Sequence, residues 1–203
     1  MINLSEIYDV TLKRGIRGAA KGGFVRPTIG EHFMTHRDFE NIISYHDPEF
    51  LAKITAPDGA ASDYFGNSVA ISDTKIVVGA QRGDTPGGAD AGSAYIFNTD
   101  GTYVTKITAP DGAASDYFGN SVAISDTKIV VGAYLDDDRG SDSGSAYIFK
   151  TDGTYVTKIT APDGAAYDYF GNSVAISDTK IVVGARYDDD RGSDSGSAYI
   201  YDI

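Results

Sequence analysis

The chain contains no cysteine, so neither disulfides nor thiolate metal centres can hold it together, and its stability rests on packing and β ladders. It has three histidines, His32, His36 and His46. All precede residue 51, which leaves the rest of the chain without an imidazole for acid–base or metal chemistry. No apolar run reaches the length of a membrane-spanning helix. Met1 to Val10 includes Glu6 and Asp9, unlike the basic start and apolar stretch of a secretory signal peptide. Positive charge is also scarce: 17 Lys and Arg face 29 Asp and Glu, for a net charge of −12. Residues 1–50 hold six of the former and seven of the latter, so −11 of the total falls in 51–203. An acidic surface repels phosphate backbones, making nucleic acid an unlikely partner, and it suits divalent cations.

What the chain has in abundance is self-similarity. The stretch from Gly101 to Phe149 recurs from Gly153 to Tyr201 with four differences: Ser115/Tyr167, Tyr134/Arg186, Leu135/Tyr187 and Phe149/Tyr201. An earlier copy starts near Leu51 and departs from the others in one loop, Gln81–Ala91, a residue longer than its counterparts. Three repeats result, about 51–100, 101–152 and 153–203.

Within a copy the pattern is that of β-strands. Ser68-Val69-Ala70-Ile71-Ser72 alternates with period two. Lys75-Ile76-Val77-Val78-Gly79-Ala80 is a continuous apolar run suited to a strand covered on both faces. Ala94–Phe97 is aromatic and β-branched, and Thr102–Thr108 is an amphipathic edge rich in hydroxyls. Asp100-Gly101 and Asp152-Gly153 mark hairpins between the third and fourth strands. Small residues first, a fully apolar strand second and an amphipathic edge last is the order of a propeller blade. The expected fold is all-β: three four-stranded propeller-type blades behind a non-repeat N-terminal segment.

Phe65-Gly66-Asn67-Ser68-Val69-Ala70 followed by Val77-Val78-Gly79-Ala80 resembles the FG-GAP repeat of integrin α-chain propellers and bacterial surface proteins. Phe118-Gly119 with Val131-Gly132-Ala133, and Phe170-Gly171 with Val183-Gly184-Ala185, repeat the pattern in register. The resemblance covers residues 51–203 and implies blades and a role in adhesion or assembly. One feature departs from it. The calcium loop that the family carries between its first two strands is reduced here to Ser72–Lys75, so the family's calcium ligands do not carry over.

A different acidic loop is the candidate metal site. Asp136, Asp138 and Asp142, and their copies Asp188, Asp190 and Asp194, place carboxylates at i, i+2 and i+6 around a glycine, a donor set for Ca²⁺. The alternative is a solvated turn, since Asp, Ser and Gly adopt turn geometry cheaply. Catalytic residues are not expected. Acid–base work by paired carboxylates needs two environments that push their pKa values apart, and near-identical copies supply near-identical environments. Arg82-Gly83-Asp84 spells the tripeptide that integrins recognise, a short match of high coincidence. His32 and His36 have helical ligand spacing but no evident third or fourth ligand.

Residues 1–50 share nothing with the repeats. Lys13, Arg14, Arg17, Lys21 and Arg26 lie in an acid-free stretch from Thr11 to Gly30, readable as a nucleic-acid arm or as a segment that folds onto an acidic partner protein, the second being favoured. Thr35 and Asp38 form a capping-box-like start to a short helix near 36–45, ended before Pro48. This segment is read as an anchor to a larger assembly. The expected function is non-enzymatic: a virion component such as a phage tail fibre or capsid decoration, with a cation-dependent lectin-like module or secreted adhesin as the alternative. Surface glycan is a possible ligand, and the expected location is a virion or the extracellular space. Finally, the third blade ends at Tyr201 without a fourth strand, while Leu51–Thr55 has a fourth-strand pattern without a blade. The expectation is a homo-oligomer in which residues 51–55 of one copy pair with 197–201 of the next.

Overall fold

The repeats fold into antiparallel sheets whose consecutive strands pair with one another. The computed structural model describes residues 49–203; the helix expected near 36–45 and nearly all of the 1–50 anchor lie outside them. The described residues are all-β. Sheet 1 orders β1 (Val69–Ile71), β2 (Lys75–Ala80), β3 (Ser93–Asn98) and β4 (Tyr103–Ile107). Sheet 2 orders β5 (Ser121–Ile124), β6 (Lys128–Ala133), β7 (Ser145–Lys150) and β8 (Tyr155–Ile159). The third sheet has only three strands, β9 (Phe170–Ile176), β10 (Lys180–Ala185) and β11 (Ser197–Asp202), and β11 is its edge. The missing fourth strand is as expected. Leu51–Thr55, which has the fourth-strand pattern, forms no strand within the chain.

Turn chemistry sets the registers. Gly101 adopts φ +87°, and the Asn98 amide donates to the Thr102 carbonyl across that hairpin. The Ser72 amide donates to the Lys75 carbonyl at the β1–β2 turn. Before each Phe-Gly pair the chain turns through left-handed residues, Ser115 (φ 71°) and Tyr117 (φ 55°) in sheet 2. That turn sends the Phe118 side chain into the core, where it is fully buried. It meets Tyr147 and Phe149 edge-on, with centroids 5.4 and 5.9 Å away, a geometry favoured by the ring quadrupoles.

The core lies between sheets rather than inside one. Val77, Ala94 and Ile96 of sheet 1 pack on Val122, Ile124, Ile129 and Phe149 of sheet 2. Val130, Ala146 and Ile148 of sheet 2 pack on Val174, Ile181, Val183 and Tyr199 of sheet 3. Each sheet thus needs a neighbour to bury its apolar residues, the mark of a repeat array. The same polar fittings close both joints. A side chain on Gly79 would overlap the Gly119 carbonyl, and one on Gly132 the Gly171 carbonyl. Ser68 Oγ donates to the Gly119 carbonyl (2.7 Å) and Ser121 Oγ to that of Gly171 (2.8 Å). Asn67 and Asn120 donate to the Asn120 and Asn172 carbonyls, each at 3.1 Å. The outer loop of each sheet bonds the next: the Phe118 amide donates to the Ala91 carbonyl and the Phe170 amide to that of Ser143.

Candidate functional site

Chemistry-bearing side chains gather where the fourth strand meets the acidic loop. In sheet 2, β8 runs antiparallel to β7 with Lys158 opposite Tyr147, so both side chains rise on the same face. The Tyr147 ring is fully buried, and its hydroxyl lies 2.8 Å from both Asp111 Oδ1 and Asp136 Oδ2. Lys158 Nζ then donates to Asp111 Oδ2 (3.0 Å) and Asp136 Oδ2 (2.9 Å) and pairs with the Asp138 carboxylate at 2.5 Å, so three carboxylates surround the ammonium. Nζ also sits 5.0 Å from the Tyr147 ring centroid.

The electrostatics follow from this crowding. Burial opposes the charge on Lys158, but its bonds to Asp138, Asp136 and Asp111 outweigh it and hold its pKa above the ordinary lysine value. Burial raises the Asp111 carboxyl, yet Lys158 and Tyr147 more than reverse this and leave it below the usual range. Burial, reinforced by the charge on Asp136, keeps the Tyr147 phenol protonated. Nearby Asp116 is pushed up to about 6, by burial first and by the facing Asp136 and Asp137 charges.

The residues expected to hold calcium are only partly brought together. Asp136 and Asp138 converge, but on the ammonium of Lys158. Asp142 instead donates its amide to Asp137 Oδ1 at 2.7 Å, and its carboxyl is raised by burial and then by the Asp137 charge. Asp188, Asp190 and Asp194 repeat the internal bonds of the loop but without a lysine among the described residues: the Asp190 amide donates to Asp188 Oδ1 and the Asp194 amide to Asp189 Oδ1. Among the described residues no group of three or more His, Cys, Asp or Glu side chains is arranged to hold a metal ion. Asp111, Lys158 and Tyr147 were not singled out in the sequence. Their signal was there, since Lys-Ile-Thr-Ala-Pro-Asp-Gly occurs three times, but its meaning depends on the β7–β8 register.

Sheet 1 holds a reduced version. Lys106 Nζ bonds Asp58 at 2.8 Å, and the Tyr95 hydroxyl donates to Asp58 at the same distance. Gly83 stands where sheet 2 has Asp136. Ser145 Oγ donates to Asp136 at 2.9 Å, whereas its counterpart Ser93 Oγ is buried without a partner. An open cavity of about 310 Å³ lies alongside, lined by Asp58, Asp63, Arg82, Asp84, Asp90 and Lys106. Three of its four carboxylates are engaged: Asp58 by Lys106 and Tyr95, Asp63 by the Ala60 amide and Asp84 by that of Asp90. The Arg82 guanidinium lies over the Tyr64 and Tyr117 rings at 5.0 and 5.5 Å. The Arg-Gly-Asp tripeptide is therefore part of a joint between sheets.

A family model described as FG-GAP repeat matches residues 49–97, 102–149 and 154–201. The chain belongs to the FG-GAP repeat family. Comparison with curated proteins finds no match. The matches run one strand out of step with the sheets: 102–149 takes in β4 of sheet 1 with β5–β7 of sheet 2, and 154–201 takes in β8 of sheet 2 with β9–β11, so each repeat spans the fourth strand of one blade and the first three of the next. The Phe-Gly pair lies at the joint and the Gly-Ala pair at the end of the second strand. FG-GAP repeats form propeller-type modules of the adhesion and structural class, and the family is generally non-enzymatic. No helix among the described residues is long and apolar enough to cross a membrane.

Proposed function

We propose that this chain is a non-enzymatic structural subunit, an FG-GAP head that residues 1–50 attach to a larger assembly such as a phage tail fibre or capsid decoration. One observation carries this reading. The polar side chains that could do chemistry are spent on holding the blades themselves, as Lys158 of β8 is on Asp111, Asp136 and Asp138. A protonated ammonium has no lone pair, and one ringed by three carboxylates is already committed to them rather than to a substrate. The basic, glycine-rich stretch before the head supplies a docking element that contrasts with its acidity.

The test is incorporation. The full chain should be found on purified particles from its source, and a version beginning at Phe50 should fold into the same blades yet fail to join them. Incorporation of the shortened chain would contradict the anchor, and a full chain absent from every particle would contradict the assembly role.

A further inference from the structure

The joint between blades occurs twice inside the chain, and the two ends of the head carry its two unfilled halves. On blade 1, Val69 and Ile71 face away from blade 2 and are 67% and 68% exposed. Their counterparts Val122, Ile124, Val174 and Ile176 all pack on a preceding blade. On blade 3, Val182 is 37% and Ile200 71% exposed. In blades 1 and 2 the same positions, Val77, Ile96, Val130 and Ile148, are buried.

The polar fittings are split in the same way. Ser68 and Ser121 each reach a glycine carbonyl of the next blade; Ser173 is the third of the series, and the glycine left over is Gly66. A side chain on Gly66 would touch nothing, whereas Gly119 and Gly171 are pressed against the Ser93 and Ser145 carbonyls.

The acidic cluster gives the sharpest mismatch. The Tyr199 hydroxyl lies 2.9 Å from Asp163 and 2.7 Å from Asp188, as that of Tyr147 lies beside Asp111 and Asp136. Asp190 stands where blade 2 has Asp138. Among the described residues these three carboxylates have no lysine, because β11 has no fourth-strand neighbour. A lysine with the right context exists elsewhere. Lys53 begins the same heptapeptide as Lys106 and Lys158, and it is exposed. The residues on either side of it, Ala52 and Ile54, already lie where the fourth strand of a preceding blade would run: a side chain on Gly101 would meet Ala52 and Ile54, as one on Gly153 would meet Thr105 and Ile107. Ile54 also packs on the Val78–Tyr95–Phe97 cluster of blade 1. Within its own chain Lys53 is thus committed to the end of the head opposite β11.

We propose that Leu51–Thr55 of a second copy adds to β11 as its fourth strand, and that Lys53 of that copy enters the Asp163–Asp188–Asp190 cluster as Lys158 enters Asp111–Asp136–Asp138. The internal register fixes the pairing. Ala94 pairs with Ile107 and Tyr95 with Lys106, so Ala198 pairs with Ile54 and Tyr199 with Lys53. Blade 1 of the second copy then covers Val182 and Ile200. Repeated head to tail, two chains close six blades, within the four to eight of known propellers, and closure removes both edges. The proposal is independent of what residues 1–50 attach to.

Native mass spectrometry of the full chain at micromolar concentration tests it. The wild type should run at twice the 21.5 kDa chain mass. Ile71→Lys and Ile200→Lys alter side chains already exposed in the single chain, so both should keep the β spectrum and run as monomers. Mixed one to one they should form dimers again, because one joint of the mixed pair is intact. Lys53→Glu should weaken the dimer at least tenfold, and pairing it with Asp190→Lys should restore part of the loss. A wild-type monomer would overturn the proposal. So would dimers of either isoleucine variant alone, or a mixture that stays monomeric.

Discussion

Blades 2 and 3 share one sequence over almost their whole length but not one environment. Tyr147 is fully buried while Tyr199 is only half-buried, and Ile148 is 3% exposed against 71% for Ile200. The four differing positions do not explain this directly, since neither the Tyr147/Tyr199 pair nor the Ile148/Ile200 pair is among them. Position in the array does. Blade 2 has a neighbour on each side and a fourth strand, whereas blade 3 has one neighbour and an open edge. In such an array the stability of a repeat is its own folding term plus what its neighbours bury, so equal sequences carry unequal weight.

The comparison breaks first at the core. Phe118→Ala should cost about 3–5 kcal/mol, because the ring is fully buried at a joint. Phe65→Ala, at the outer end of the head, should cost measurably less. Denaturant titration of both variants checks this, and equal losses would mean that neighbours do not set the weight. Nearly as large is the effect at the lysines. Lys158→Met leaves Asp136, 5% exposed, without its cation, a loss of about 3–5 kcal/mol. Lys106→Met breaks a single bond to the half-exposed Asp58, worth about 1 kcal/mol or less.

Asp116 gives an effect that depends on pH. Its folded pKa of about 6 lies above its unfolded value near 3.8, so the folded state binds the extra proton. That contribution is complete below pH 3.8 and is lost as pH rises through 6. Asp116→Asn should therefore gain on the wild type between pH 4 and 7, by up to about 3 kcal/mol, while the Ala113 amide keeps a carbonyl to donate to. Melting temperatures of both proteins across that range read the gain, and a difference that is flat with pH would contradict the burial of this carboxyl. The smallest effect is a repair. Gly83→Asp supplies the partner that Ser93 Oγ lacks and should stabilise blade 1 by about 1 kcal/mol, read by the same melting curves.

Much of this fold was legible in the residues. Strand type and order followed from Lys75–Ala80 and Ala94–Phe97, and the hairpins from Asp100-Gly101 and Asp152-Gly153, because these are local rules. The missing fourth strand of blade 3 followed from the repeat arithmetic. The site was only half legible. Asp136 and Asp138 stood out as a run of carboxylates, but Lys158 lies 20 residues or more away and meets them only through the β7–β8 register. Asp142 is carried away from them by an amide bond to Asp137, a turn that residue spacing alone does not specify. Leu51–Thr55 has the pattern of a strand and no partner within the chain to make it one.

The central claim is that a neighbour, not the sequence of a blade, completes it, and amide hydrogen exchange along β11 tests this most directly. Above the concentration at which the full chain assembles, the β11 amides that face its open side should be protected as strongly as those of β3 and β7. On dilution they alone should lose that protection. Rapid exchange of those amides at every concentration would contradict the account.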